Sequence, residues 1–531
     1  MSRSWVPAVF QPLRGNAFRY VWTAALAANL TMWMNDTTAA WLMAQLTDSA
    51  FLVAMTQTAS TLPVFLLGVP SGTLADLVDR RRYFAVTQIW VSAVAVVVAA
   101  LAWSGALTAG TLLVLMFANG IGLAMRWPVF AAIVPMVVPR PQLSAGLALN
   151  AMSMNFSRLA GPLIAGTVLA YSHHAAVFVL NAVMSITASI LILRWRPRPR
   201  TVTLPAERFL GAMRAGLRFA RQSGHLRAVL ARAFLFFIHC TGLIALLPLV
   251  ARRFGEGAGA YTSLLAAMGA GALVAALAVP RLRNRFHPTA LINGSVVLYS
   301  LAVLVMAHTP TRWVAIPAMA VAGATWMLSA NTLSMVAQLV LPDWVRARGM
   351  AIFQVSIMGG TALGAALWGR LAGVTDVSTA LLFSGIAGLA ITAAMSRVAL
   401  RTVPDEELEP MPSSVQLRPA IPVSDHAGPV MVTIRYVIDP AHEAEFLTLM
   451  EETRHARLRA GAMSWGFFAD VERPGHYMEY FIDESWIAYE RRFERFTAAD
   501  MRLRQRRREL LIEDAVPVVR RYVGVSLPKG R

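Results

Sequence analysis

Through the first 400 positions of this chain, apolar residues come in long runs separated by short breaks rich in arginine. A hydrocarbon core about 30 Å thick is crossed by about 20 helical residues, so each run has the length of a membrane span. The runs lie at about 18–44, 50–70, 84–104, 110–136, 144–171, 175–194, 230–251, 260–280, 289–308, 313–340, 349–373 and 377–399. They predict an all-α membrane architecture of twelve helices in two six-helix bundles, residues 1–194 and 230–400, joined by a connector at 195–229.

Beyond the last run the pattern changes. Pro404-Asp-Glu-Glu-Leu-Glu-Pro-Met-Pro is acidic and proline-rich, and predicts a linker over 401–428. Alternating and helical periods follow. They predict strands at Val430–Ile438, Ala462–Val471, His476–Ile482 and Val516–Val525, a helix at Pro440–Arg459, and one long helix from Glu484 to Leu511. That βαββαβ order predicts an α+β ferredoxin-like domain over 429–527.

The two bundles repeat one another. Gly120, Pro139, Gly146, Gly161 and Gly166 recur as Gly323, Pro342, Gly349, Gly364 and Gly369, each pair 203 positions apart. Five matches in one register imply two similar halves with a substrate held near the midplane between them.

Composition agrees with lipid as the solvent: 56% of residues are hydrophobic and 15% charged, against roughly 25% charged in soluble chains. The net charge of +19 would point to nucleic acid in a soluble protein, but here arginines crowd one set of loops. Arg80, Arg81, Arg82, Arg140, Arg281, Arg283, Arg285, Arg346 and Arg348, with the connector, lie on one side; Arg252, Arg253, Arg312 and Arg370 lie on the other. The positive-inside rule then places both termini in the cytoplasm; a bacterial inner membrane is the expected location. The start is too polar for a cleaved signal peptide. Cys240 is the single cysteine, so neither a disulfide framework nor a thiolate metal site is expected. In the connector, Phe209, Met213, Leu217 and Phe219 oppose Arg214, Arg218 and Arg221, the pattern of an amphipathic helix on the inner leaflet.

Gly72-Thr-Leu-Ala-Asp76-Leu-Val-Asp79-Arg80-Arg81-Arg82 resembles the signature loop of the major facilitator superfamily. The resemblance implies a twelve-helix major facilitator fold and a conformational latch at Gly72, Asp76 and Arg80. Asp79 stands where that family usually has glycine. In the fifth run, Arg158-Leu-Ala-Gly161-Pro162-Leu-Ile-Ala-Gly166 resembles the Gly-Pro motif of the superfamily's exporters. Trp33-Met-Asn-Asp36, Trp41, Leu62-Pro63 and Leu147-Ala-Leu-Asn150 look like the branch that contains the enterobactin exporter and macrolide efflux proteins. Arg492-Phe-Glu-Arg-Phe-Thr497-Ala-Ala-Asp500 resembles its longer members, the transmembrane secretion effectors. The C-terminal domain resembles the antibiotic-biosynthesis-monooxygenase-like fold, which implies a dimer.

Ionisable side chains inside spans need a reason, since one at a helix centre costs about 2.5–3.5 kcal/mol. Asp36, Arg126 and Arg158 stand out, all in the first half; the repeat partners of the two arginines are Ser329 and Thr361. The expectation is that Asp36 takes up and releases protons, with Arg126 or Arg158 keeping it ionised until substrate or movement separates them. Asn29, Trp33, Asn119 and Asn150 are expected to line a cavity for a small amphipathic substrate, and the lone His239 to pack.

No phosphate loop is present, so an ion gradient is the expected energy source, and neither a cofactor nor a metal is expected. In the C-terminal domain His476, Trp486 and Tyr489 form no recognisable catalytic set, and its arginine-rich helix reads as a surface for lipid or a partner. The expected function is therefore a proton-coupled exporter of a siderophore-like or drug-like molecule and not an enzyme. A membrane-anchored enzyme or sensor acting through the C-terminal domain is the alternative.

Overall fold

The computed structural model describes residues 8–139, 142–195, 209–255, 257–398, 419–512 and 516–525. The apolar runs are helices: α1 (Asn16–Leu46), α2 (Ala50–Leu77), α3 (Arg80–Trp103), α4 (Ala109–Val137), α5 (Leu143–Tyr171) and α6 (Ala175–Arg194). The connector contributes α7 (Phe209–Gln222). The second set is α8 (Gly224–Arg252), α9 (Gly257–Arg285), α10 (Pro288–His308), α11 (Arg312–Leu339), α12 (Asp343–Val374) and α13 (Val377–Met395).

Among the described residues, 10 helices are long and apolar enough to cross a membrane. The long helices outside that set are α1 and α5, of 31 and 29 residues. Length is not what they lack. They carry Asn29, Asn35, Asp36, Asn150, Asn155 and Arg158, whose polarity lowers their mean hydropathy.

The repeated glycines do the same work in each half. A Cβ at Gly120 on α4 would lie 2.5 Å from the Ser60 carbonyl oxygen on α2, and one at Gly323 on α11 would overlap the Met268 carbonyl on α9. A Cβ at Gly161 on α5 would lie 2.5 Å from the Trp33 Cβ on α1, and one at Gly364 on α12 would lie 2.5 Å from the Ile238 carbonyl oxygen on α8. Gly166 faces Thr262 on α9 while Gly369 faces Ala54 on α2, which joins the halves at two related seams. Gly146 meets Val138, and Gly349 meets Leu341, a pair again 203 positions apart. Small residues let helix backbones approach where lipid offers no hydrophobic drive for association.

The chain divides into two compact units. One holds most of the long helices; the other gathers α7, the junction of α11 with α12, and the C-terminal residues. In the second unit the C-terminal elements are β1 (Val430–Val437), α14 (Glu443–Arg459), β2 (Ser464–Ala469), β3 (His476–Asp483), α15 (Trp486–Glu494), α16 (Ala498–Glu509) and β4 (Val518–Val523). The strands form one antiparallel sheet in the order β2-β3-β1-β4. Val432, Ile434, Tyr436, Tyr477 and Phe481 point from it into a core completed by Phe446, Met450, Trp486 and Tyr489.

The single helix expected over Glu484–Leu511 is two, α15 and α16. Thr497 starts the second: its side chain accepts from the Asp500 backbone N–H, and Asp500 returns a bond to the Thr497 N–H, a capping box that begins a new helix. The arginine-rich surface is also corrected in part. Arg492 and Arg507 are buried, Arg492 against Asp483 and Arg507 donating to Thr453 Oγ1 at 2.9 Å.

Candidate functional site

Asn29, Trp33 and Asp36 fall on one stripe of α1, spaced four and three residues apart. Arg126 comes to this stripe from α4, where its Nη1 donates to the Ala28 carbonyl at 2.6 Å and its Nη2 to the Met32 sulfur at 3.5 Å. Its charge acts on Asp36 without a direct ion pair among the described residues. Asn35, beside Asp36, donates to the Met116 sulfur on α4 at 3.4 Å.

Arg158 is placed elsewhere. Its guanidinium carbon lies 5.1 Å from the Trp33 ring centroid on α1 and 4.1 Å from that of Trp326 on α11, so it bridges the two halves. Gly161, one turn further along α5, is what admits Trp33 to this position. Nη1 of Arg158 reaches the Met327 sulfur at 3.7 Å, and Nε has no hydrogen-bond partner among the described residues. Of the two arginines expected near Asp36, Arg126 is therefore the one whose charge acts on it, and Arg158 belongs to a tryptophan pair. Trp326 and Met327 were not singled out from the sequence. Trp326 stands one turn beyond the repeat glycine Gly323, the only local signal that it faces a helix contact.

Asn119 is buried on α4, and Asn29 and Asn150 are half-buried on α1 and α5; the side chains of the three make no hydrogen bond among the described residues. Several buried polar atoms also lack partners among the described residues, including Trp33 Nε1 on α1, the hydroxyls of Ser153 and Ser157 on α5 and that of Ser329 on α11. Buried polar atoms are normally paired, so these atoms are spare hydrogen-bond capacity on α1, α5 and α11. His239 is different: its Nδ1 is 2.8 Å from the Ser384 carbonyl and its Nε2 3.2 Å from Ser300 Oγ, which occupies both ring nitrogens.

In the latch segment the side chains of Gly72 and Asp76 lie outside the described residues. Arg80 Nη1 reaches the Met136 sulfur on α4 at 3.3 Å, and Arg81 Nη1 donates to the Trp195 carbonyl at 3.0 Å. Asp79 caps α3, accepting from the Arg81 and Arg82 backbone N–H groups at 2.8 and 3.3 Å. Its φ of −58° shows why a residue other than glycine is accommodated there.

The second unit has its own charged interior. Glu479 is fully buried, and accepts from Arg457 Nε at 2.9 Å, Trp465 Nε1 at 3.0 Å and the Tyr436 hydroxyl at 2.6 Å. Burial alone would raise its pKa, but the charge and hydrogen bond of Arg457, with Arg507 and Tyr436, outweigh it and hold the carboxyl at about 2. This unit also joins α7 to the rest of its members. Arg218 donates to the Gly461 carbonyl at 2.7 Å, Arg214 pairs with Glu484 at 3.6 Å, and Gln222 meets His455 at 3.1 Å. Arg214 and Arg218 of the amphipathic helix thus meet protein where lipid headgroups were expected. Trp344, in the first turn of α12, packs edge-on against Phe219 of α7 and takes the Arg495 guanidinium over its face at 4.6 Å.

Two glycine-matched halves of long apolar helices around a buried polar seam define a multi-pass membrane transporter. The profile of the transmembrane secretion effectors, a family of major facilitator transporters, matches residues 7–528, and the chain belongs to that family. It is similar to macrolide efflux protein A of Streptococcus pyogenes, 22% identical over 55% of this chain and 73% of the relative. It is also similar to the staphyloferrin A transporter of Staphylococcus aureus, 20% identical over 54% of this chain and 72% of the relative. Among solved structures, nucleoside transporter NupG matches with a TM-score of 0.58 at 12% identity, over 72% of this chain and 98% of the other. A bacterial homologue of the human lysosomal transporter Spinster, inward-facing and unoccupied, matches with a TM-score of 0.54 at 17% identity, over 72% and 97%. The fold is that of the major facilitators; family and neighbours alike are transporters, not enzymes.

Proposed function

We propose that this secondary transporter exports a small amphipathic molecule in exchange for protons, through twelve spans arranged as bundles 1–194 and 230–400. The observation that carries this reading is the asymmetry of charge. Asp36, Arg126 and Arg158 sit in the first half where the second offers His239, Ser329 and Thr361, so among the described residues the carboxyl of Asp36 has no acidic counterpart across the repeat. Proton entry down about 100 mV releases about 2.3 kcal/mol before any pH gradient is counted. In this reading the charge of Arg126 attracts the Asp36 carboxylate, and displacement of α4 relative to α1 removes that attraction.

Efflux relatives and the Gly161-Pro162 motif favour export, and the arginine-rich loops favour cytoplasmic ends in a bacterial inner membrane. Gly72, Asp76 and Arg80 act as the latch between conformations. For the C-terminal domain, the all-antiparallel order β2-β3-β1-β4 supports a ferredoxin-like fold. Its outer face exposes Met431, Phe468, Val518 and Tyr522, which supports dimerisation through the sheet, and its contacts with α7 support a regulatory role.

The test is proton flux in proteoliposomes challenged with siderophores and hydrophobic drugs, wild type beside Asp36→Asn. Substrate-triggered flux lost in the variant supports the reading. Substrate movement at wild-type rate in Asp36→Asn under a pH gradient would sink the coupling.

A further inference from the structure

Arg158 is a cation with no counter-charge among the described residues. A guanidinium stays protonated in proteins, so burial cannot neutralise it and something must answer its charge. The surroundings offer two indole rings and one thioether: Trp33 at 5.1 Å, Trp326 at 4.1 Å, and the Met327 sulfur at 3.7 Å. Among the described residues no carboxylate acts on it, and its Nε is buried without a hydrogen-bond partner. Rings attract a guanidinium through its faces. They leave unused the N–H donors that lie in its plane, whose fork matches a carboxylate.

The same three helices hold further unfilled donors and acceptors. Trp33 Nε1 on α1, Ser153 and Ser157 on α5, and Ser329 on α11 are buried and unpaired. Ser329 stands one turn from Trp326, and Ser157 adjoins Arg158. A structural arginine at a helix seam would be expected to spend its donors on carbonyls, as Arg232 does on Met395 and Val398, each at 2.5 Å. Arg158 does not.

We propose that Arg158 is a receptor for an anion, and that the transported molecule carries a carboxylate attached to an aromatic or similarly flat apolar body. The carboxylate takes the in-plane donors of Arg158, the flat body lies among Trp33 and Trp326, and further hydroxyl or amide groups of the ligand meet the unpaired serines. Because Arg158 contacts both halves through those tryptophans, a ligand that competes for it also loosens the seam between α5 and α11, which couples occupancy to movement. This assignment rests on the transporter reading but not on proton coupling, since binding needs neither a gradient nor Asp36.

The probes are 2-naphthoate and its neutral counterpart 2-naphthamide, titrated calorimetrically against the full chain in nanodiscs of phosphatidylcholine alone, so that no anionic lipid supplies the charge. Wild type should bind the carboxylate at least tenfold tighter than the amide; Arg158→Lys should keep part of that preference and Arg158→Gln none. Binding of neither probe, equal binding of both by wild type, or an undiminished preference in Arg158→Gln overturns the proposal. Repeating the titration with phosphatidylglycerol added separates the sources of anion: the preference persists for a small-molecule site, whereas its disappearance assigns Arg158 to lipid headgroups and overturns the substrate assignment. A ligand-free measurement guards against a folding artefact. Arg158→Met should melt at or above wild type, because it removes an uncompensated, half-buried charge, and a clearly lower melting temperature would make Arg158 a packing residue instead.

Discussion

Gly161 lies so close to Trp33 that a Cβ on the glycine would stand 2.5 Å from the tryptophan's own Cβ. Helices α1 and α5 therefore touch at backbone range, and that contact sets the distance between Trp33 and Arg158. Gly161→Ala should lower stability by about 1–3 kcal/mol, the cost of overpacking a tight contact. Gly364→Ala should do at least as much, because its added carbon would meet the Ile238 main chain, which has no rotamer to change. Gly294→Ala on α10, where nothing lies within 4 Å, serves as the control and should be neutral or slightly stabilising. Melting temperatures of the three variants in one detergent check this, and equal effects at all three positions would deny the repeat its packing role.

That relationship also shows what the sequence could and could not disclose. The five glycine and proline pairs were legible because a fixed offset is a one-dimensional signal, and the contacts they make repeat in each half. The helices were legible for the same reason: apolar length is read along the chain. Trp326 and Met327 were not, because their meeting with Arg158 depends on which way α11 is turned, and its apolar residues run all round the helix with almost no period to reveal its rotation. Glu479 escaped notice for a related reason. The strand His476–Asp483 alternates large residues on both faces, and only the position of Arg457 on α14 decides that the row with Glu479 points inward.

Asp79 as the cap of α3 gives a prediction about the latch loop. Asp79→Ala removes the acceptor for two backbone N–H groups and should cost about 1 kcal/mol, whereas Asp79→Gly, the residue usual in that family, should cost only a few tenths. Thermal unfolding in a fixed lipid or detergent ranks the two. An alanine variant as stable as the glycine variant would mean that the cap contributes nothing.

Trp344 is held between Phe219 and Arg495, so it ties α7 and α15 to the start of α12 within the second unit. Trp344→Ala removes both ring contacts at once. Hydrogen exchange across residues 209–222 should speed up about tenfold or more, equivalent to about 1.4 kcal/mol of lost protection, while exchange in α1 and α5 stays unchanged. Unaltered exchange in α7 would show that the hydrogen bonds from Arg218 and Gln222 suffice without Trp344.

Glu479 makes the C-terminal sheet sensitive to acid, with a sign fixed by its environment. Its folded pKa of about 2 lies below the 4.5 of the free side chain, because the charge of Arg457 and three hydrogen bonds overcome the burial that would raise it. A depressed carboxyl pKa stabilises the fold fully above the unfolded value and progressively less as pH falls towards the folded one. The contribution, roughly 3 kcal/mol for a shift of this size, should therefore be intact at neutral pH and drain away between about pH 4.5 and 2. Glu479→Gln should remove that acid-dependent loss. It should also weaken the domain at pH 7 by about 3–5 kcal/mol, because Arg457 would be left buried without its counter-charge. Hydrogen exchange over residues 476–483 of the full chain, corrected for intrinsic rates and followed from pH 7 to pH 3, separates these effects. Protection in wild type that ignores pH over this range would show that the Arg457 charge is answered by another group, and that Glu479 is not the acid-sensitive element of the sheet.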